Sequence, residues 1–101
     1  MTIPFRNYQE TLIEDLKDPE EASMYLNEAL EDGDREAFLM ALKNVTMAQG
    51  GVTKVAKDAH LNRVSLQRIL TGKGNPRLDN LSNILHSLGL RLTISEANTE
   101  V

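Results

Sequence analysis

The stretch KVAKDAHLNRVSLQRILTGK, from Lys54 to Lys73, contains two short amphipathic segments on either side of the tripeptide HLN. Apolar residues recur at helical spacing in both segments, which predicts helices at about residues 52–59 and 63–71. Asn62 suits the N-cap of the second helix, and Gly72 and Gly74 interrupt it. The stretch therefore predicts two helices joined by a tight turn, and its polar residues raise the question of what the second helix contacts.

The second helix has one aliphatic side and one polar side. In a helical projection, Leu66, Ile69 and Ser65 fall on the side expected to be buried, with Leu70 at its border. The opposite arc of about 140° contains no acid, and its members are Arg63, Val64, Gln67, Arg68 and Thr71. Arg and Gln form paired hydrogen bonds with base edges in the major groove, and an exposed Val can contact a thymine methyl. We expect Arg63, Val64, Gln67 and Arg68 to read DNA bases, although an ordinary solvated surface is the alternative.

Polar residues around this helix pair suit contacts with the DNA backbone. A helix that begins near Val52 presents unpaired backbone N–H groups, which bind phosphate readily. Exposed lysines are common in loops, so each residue alone is a weak indication, and the grouping around one helix pair is what favours this role. The residues expected to contact the backbone are Thr53, Lys54, Asn62, Lys73 and Asn75.

Capping residues and glycines mark the other helices. Asp18, Pro19 and Glu21 are typical of a helix start, and Gly33 of its end. Within this helix we expect Met24, Leu26, Ala29 and Leu30 to form an apolar side. Asp34 suits the N-cap of the next helix, which ends at about residues 49–51. A short helix at 8–16 and a last helix from about Leu78 to Leu88 complete the prediction.

The segment LRLTIS, residues 90–95, alternates apolar and polar residues, which predicts a short β-strand. Leu90, Leu92 and Ile94 form its apolar side and are our candidates for a contact between two copies of the chain. A single strand leaves its backbone groups unpaired, so it needs a partner. That partner is either a second copy or another part of this chain, such as the N-terminal arm around Pro4 and Phe5.

Composition limits the classes of protein. The 101 residues fit one domain with an extension, and 41% apolar residues favour a folded chain. With no Cys and only His60 and His86, we expect no disulfide, no metal site and no cofactor. Neither a nucleophile motif nor a phosphate-binding loop is present, which argues against an enzyme. Since no signal peptide or membrane span is recognisable, the sequence predicts a cytoplasmic protein.

The net charge of −4 is divided unevenly along the chain. Residues 1–36 contain three bases and eleven acids, a net charge of −8, whereas residues 37–101 contain eight bases and four acids, a net charge of +4. Such asymmetry indicates two surfaces for different partners, with a solvated acidic helix face as the alternative.

Residues 37–90 resemble the lambda-repressor-like, Xre-type helix-turn-helix family. The residues that carry the resemblance are Ala56, His60-Leu61-Asn62, Leu66, Ile69, Gly72-Lys73-Gly74-Asn75-Pro76, Leu78, Leu81, Ile84 and Leu88-Gly89. The family usually has glycine at the turn because the backbone there is left-handed, and this chain has His60 instead. The resemblance implies an all-α, five-helix DNA-binding domain at 34–90, with an acidic helical extension at 1–33 and a strand and tail at 91–101.

The whole chain is similar to the antidote proteins of addiction modules. The resemblance rests on DLKDPEEASMYLNEALEDGDREAFLMALKNV, the GG before VTKVAK, and the closing LGLRLTI. It implies a RelE/ParE-like toxin as partner and repression of the shared operon by a dimer on double-stranded operator DNA. The acidic N-terminal part would complement a basic toxin. The alternatives are a phage-type regulator without a toxin and a protein-interaction module that has lost DNA binding.

Overall fold

The computed structural model describes residues 8–97, and within this range the regular secondary structure is helical. The helices are α1 (Tyr8–Asp15), α2 (Pro19–Glu31), α3 (Arg35–Ala48), α4 (Val52–Asp58), α5 (Arg63–Arg68) and α6 (Leu78–Ser87), with a π-helical turn at Ile69–Lys73 between the last two. The all-α expectation is confirmed for the described residues. None of the helices in 8–97 has the length and apolarity needed to cross a membrane.

Three helices begin where their capping residues predict. The Asp18 side chain accepts a hydrogen bond from the N–H of Glu20 at 3.0 Å, and Asp34 accepts one from the N–H of Glu36 at the same distance. Asn62 accepts one from the N–H of Val64 at 2.7 Å. Each side chain satisfies a backbone donor that the first turn of a helix leaves without an intrahelical partner, so the three cap predictions are confirmed.

One hydrophobic core holds the helices together around α3. Leu39, Leu42 and Val45 on α3 are almost completely buried. The same cluster extends from Leu16 to Leu88; its other members are Ala22, Leu26, Phe38, Ala41, Ala48, Val55, Ala56, Ala59, Leu66, Ile69, Leu70, Ile84 and Leu85. Because residues from both sides of position 33 share this core, the acidic N-terminal helices are packed onto the rest of the fold.

Polar side chains also attach α1 and α2 to α3. The Nε2 of Gln9 donates to the Oδ1 of Asn44 at 2.8 Å, and the Nδ2 of Asn44 donates to the hydroxyl of Tyr25 at 2.9 Å. The Nε2 of Gln49 lies near the carbonyl oxygens of Leu16 and Lys17, at 3.3 and 3.2 Å. These bonds satisfy carbonyl groups at the end of α1 that have no partner within the helix.

The apolar side expected for α2 is only partly correct. Leu26 is buried and Ala29 packs against the core, but the side chains of Met24 and Leu30 are 54% and 51% exposed. The buried face of α2 runs through Ala22 and Leu26 instead. Met24 is two residues from Leu26, about 200° around the helix, so the spacing itself places it on the opposite side. Leu30 does share a side with Leu26, and its exposure shows that no other element covers it fully.

The helix expected at 63–71 keeps α-helical geometry only as far as Arg68. The chain then forms the π-helical turn, in which Gly72 has a φ of 85°. A β-carbon on Gly74 would lie 2.9 Å from the Cα of Ile69, which is closer than side chains allow. The two glycines therefore permit a sharp, closely packed exit from α5, and this exit positions Lys73 and Asn75.

The expected strand at residues 90–95 has no partner within the described part of the chain, and no residue of 91–97 is in a strand. Helix α6 ends in a left-handed Gly89, with φ 81°, and the N–H of Leu90 returns to the carbonyl of Leu85 at 2.8 Å. Residues 91–97 are all exposed. The strand stays a prediction, and its alternative partner at Pro4 and Phe5 lies outside the described residues.

Candidate nucleic-acid interface

The turn between α4 and α5 depends on a left-handed residue. His60 has a φ of 59°, and no other non-glycine residue in 8–97 has a positive φ. The N–H of Leu61 then reaches back to the carbonyl of Ala56 at 2.8 Å, which closes the end of α4. The left-handed turn expected from the sequence is therefore present with histidine in place of glycine, a substitution that carries some strain.

The residues expected to read bases lie together on the exposed side of α5. Leu66 is fully buried, and the following Ile69 and Leu70 are buried as well, so they fix which side of the helix faces outward. A shallow depression of about 440 Å³ lies on that side, lined by Arg63, Val64, Gln67, Arg68 and Thr71. We call this surface the α5 face. Its lining contains no carboxylate, and Val64 is 63% exposed within it.

Ser65 is the residue of α5 that the projection placed wrongly. It was expected on the buried side, but its side chain is exposed. In the projection Ser65 is at the edge of the apolar side, and burial at that edge depends on whether another element covers it.

A hydrogen bond joins the expected base-reading and backbone-contacting residues. The Nε of Arg63 donates to the Oγ1 of Thr53 at 3.0 Å, and the two side chains lie on different helices. This bond holds the near end of the arginine while the rest of the guanidinium remains able to donate. A single sequence shows both residues but not their pairing, because ten positions separate them.

The other expected backbone contacts are exposed residues of α4, of the N-cap of α5 and of the segment that follows α5. Lys54 forms an exposed ion pair with Asp58 at 3.0 Å. Such surface pairs contribute little to stability, so the lysine can exchange its carboxylate for a phosphate at small cost. Asn62 uses its Oδ1 as the cap of α5, which leaves its Nδ2 as the group suited to a phosphate. Lys73, the last residue of the π-helical turn, and Asn75, two residues after it, are both exposed.

Arg77 lies close to these residues but has an acidic neighbour. Its Nε is 3.3 Å from the Oδ1 of Asp79. The N–H of Asn80, followed by the side chain of Arg77, lowers the pKa of Asp79 below its ordinary value. The pair places a negative charge beside Arg77, which does not line the α5 face.

The residues expected at a dimer contact lie in the segment after α6 and do not line the α5 face. Leu90 packs against the core, Leu92 is 39% exposed, and Ile94 is fully exposed. They adjoin a groove of about 540 Å³ between α2, α6 and the C-terminal segment. Its lining comprises Ser23, Leu26, Asn27, Leu30, Phe38, Leu85, His86, Gly89, Leu90, Arg91, Leu92 and Thr93. We call it the α2–α6 groove.

Across residues 8–97, no three His, Asp or Glu side chains lie close enough together to hold a metal ion.

Comparison with known proteins agrees with the second resemblance stated above. Residues 7–96 match the family model described as "Probable addiction module antidote protein". A Haemophilus influenzae protein, described as uncharacterized, is 31% identical over 84 residues, which cover 83% of this chain and 86% of that protein. No solved structure matches the chain significantly. Since the family model covers nearly the whole sequence, the chain belongs to the family of probable addiction module antidote proteins.

Proposed function

We propose that this chain is the antitoxin of a type II toxin–antitoxin module in the cytoplasm. It binds a small basic toxin of the RelE/ParE-like kind, and as a homodimer it represses its own operon by sequence-specific binding to double-stranded DNA. The observation that carries the DNA-binding part is the α5 face, where two arginines, a glutamine and an exposed valine surround one depression without a carboxylate.

The composition of the α5 face suits a major groove better than a second protein or plain solvent. Arginine and glutamine can each bond two atoms of one base, and Val64 suits a thymine methyl. Solvated helices more often have Glu–Lys pairs, and no carboxylate lines this face. Lys54 and Asn62 precede α5 in the chain, and Lys73 and Asn75 follow it, so they could fix the two ends of the helix on the phosphates.

Titration with operator DNA at several salt concentrations tests this proposal. We expect Arg63→Ala and Arg68→Ala each to weaken binding to the operator by about 1–3 kcal/mol and to relax its sequence preference. Lys73→Ala should weaken binding to all sequences about equally and reduce the salt dependence. Lys43→Ala is the matched control, since Lys43 is an exposed lysine of α3 outside the α5 face. No binding by the wild type at low salt would contradict DNA recognition.

The toxin-binding surface that we propose lies on α2. Met24 is 54% exposed, and the residues four before, four after and seven after it are Glu20, Glu28 and Glu31, all exposed. These spacings place the four side chains on one side of the helix, which we call the α2 face. A negative surface with an apolar centre complements a basic protein that contributes one apolar contact.

Deleting residues 1–33 would be a poor test of this surface, because it removes Leu16 and Leu26 from the core. The double variant Glu28→Lys/Glu31→Lys keeps the core and reverses the charge of exposed positions. We expect it to lose copurification with the toxin while its operator binding persists. The control is Glu10→Lys/Glu14→Lys on α1, which changes the charge equally. Full toxin binding by the α2 variant would contradict the assignment.

A further inference from the structure

The α2–α6 groove and the exposed segment beside it complement each other. The groove is partly apolar, with Leu26, Leu30 and Phe38 among its lining residues. The segment that forms its edge continues to Ile94, which makes no contact that reduces its exposure. A single copy therefore leaves both an apolar groove and an apolar side chain uncovered at the same place.

We infer that two copies of the chain pair antiparallel through residues 91–93 and that each inserts Ile94 into the α2–α6 groove of the other. This inference rests on the homodimer of the proposed function and specifies its register and contacts. An interface with two-fold symmetry uses the same surface on both copies, so a groove and the side chain that fills it are both supplied twice.

The alternation of apolar and polar residues in this segment selects the register in which the two copies pair. Side chains directly opposite each other in an antiparallel pair lie on the same side of the sheet. With the two-fold axis at Leu92, Leu92 faces its own counterpart and Leu90 faces Ile94 of the other copy. All apolar residues of both segments then share one side. Residues 90–93 all line the groove, and Leu90 also packs against the core, so the Ile94 opposite Leu90 lies at the groove on its apolar side.

The end of α6 determines which backbone groups form the hydrogen bonds. The N–H of Leu90 is already bound to the carbonyl of Leu85 at 2.8 Å, so Leu90 cannot donate to a partner strand. Antiparallel strands alternate hydrogen-bonded and non-hydrogen-bonded pairs. The arrangement that leaves Leu90 unused has its hydrogen bonds between Arg91 and Thr93 of opposite copies. Leu92 and its counterpart then form a non-hydrogen-bonded pair, with Cα atoms about 4.5 Å apart.

Cysteine cross-linking can test this pairing, because the chain has no native cysteine that would react instead. Leu92→Cys should form a disulfide between copies under mild oxidation, since a separation of about 4.5 Å is within the usual range. Thr93→Cys is the matched control: its counterpart in the other copy is displaced diagonally by about 7–8 Å, beyond easy bridging. Equal cross-linking of both variants, or of neither, would overturn the register.

Light scattering of the full chain across a dilution series tests the groove contact. Ile94→Asp should raise the dimer dissociation constant at least about 100-fold, because each dimer buries the changed side chain twice. Ser95→Asp introduces the same charge one residue away and should leave the dimer intact. Since Ile94 is fully exposed in one copy, its replacement should leave the circular dichroism spectrum of the monomer unchanged. A monomeric wild type, or a dimer that tolerates Ile94→Asp, would overturn the inference.

Different experimental results would contradict this inference and the proposed function. Ile94→Asp should retain toxin binding, because the α2 face does not include the C-terminal segment. Its operator binding should weaken together with dimerisation. A wild-type dimer that binds neither operator nor toxin, together with the predicted cross-link in Leu92→Cys, would refute the proposed function and leave the register standing.

Discussion

The α5 face and the α2 face are built alike and differ in charge. In each, an exposed apolar residue lies among charged or polar residues at helical spacing: Val64 with Arg63, Gln67 and Arg68, and Met24 with glutamates. Val is stiff at its first torsion, whereas Met has several rotatable bonds and adapts to irregular surfaces. The stiff Val64 suits the regular edge of DNA, and the adaptable Met24 suits a protein partner. One small core therefore supports two exposed faces of opposite charge, as the two partners proposed above require.

The largest expected effect tests whether the two regions are one unit. Leu16 is 1% exposed and belongs to the core cluster, although it lies in the acidic N-terminal part. We expect Leu16→Ala to lower the free energy of unfolding by about 2–5 kcal/mol, since it leaves a cavity in a shared core. Chemical denaturation followed by circular dichroism measures this as one transition. Two transitions, with α3–α6 unaffected, would show that the regions fold separately.

A reciprocal pair of charge changes tests whether the two faces have separate partners. Val64→Glu introduces a carboxylate into the α5 face, and we expect it to weaken operator binding by about 2 kcal/mol or more, through repulsion from phosphate. Met24→Lys places a cation in the α2 face and should weaken toxin binding by a similar amount. Both residues are exposed, so neither change should lower the melting temperature appreciably. Each variant serves as the control for the other in calorimetric titrations with operator and toxin.

A smaller effect tests the hydrogen bond that orients Arg63. Thr53→Val keeps the shape of the side chain but removes the Oγ1 that accepts from the arginine Nε. We expect operator affinity to fall by about 0.5–1.5 kcal/mol, the usual net contribution of one hydrogen bond. The double variant with Arg63→Ala should lose little more than Arg63→Ala alone. Additive losses in this mutant cycle would show that Thr53 acts independently of Arg63.

The smallest effect concerns the turn that sets the angle of the α5 face. His60 is left-handed, with φ 59°, where glycine has no steric cost. We expect His60→Gly to raise the free energy of unfolding by about 0.5–1 kcal/mol, because relief of strain exceeds the added freedom of the unfolded chain. His60→Val should instead destabilise the protein, since a β-branched residue tolerates this conformation poorly. A destabilised glycine variant would indicate a stabilising contact of the imidazole.

Local features of the fold were predictable where a residue's own chemistry determines them. Asp18, Asp34 and Asn62 cap helices because their side chains accept bonds from N–H groups two or three residues along the chain. The clustering of Arg63, Val64, Gln67 and Arg68 follows from helical spacing alone. The role of these residues in DNA binding stays a prediction.

Features that depend on distant neighbours were not predictable. Leu30 shares a side of α2 with the buried Leu26, yet its side chain is 51% exposed because no other element covers it fully. The π-helical turn after Arg68 and the bond between Thr53 and Arg63 result from packing between helices. The strand at residues 90–95 needs a partner, which one copy of the chain does not supply within its described part.

The polar attachment of α1 has a consequence for the timescale on which this region opens. Helix α1 has eight residues, none fully buried, and bonds from Gln49 and between Gln9 and Asn44 help to hold it on α3. Segments with little buried surface open locally at a lower free energy than the whole fold. Amide hydrogens of α1 should therefore exchange with solvent before those of α3. If the proposed toxin binds the α2 face alone, the exchange of α1 should change little, so α1 would serve as an internal reference for the exchange of α2.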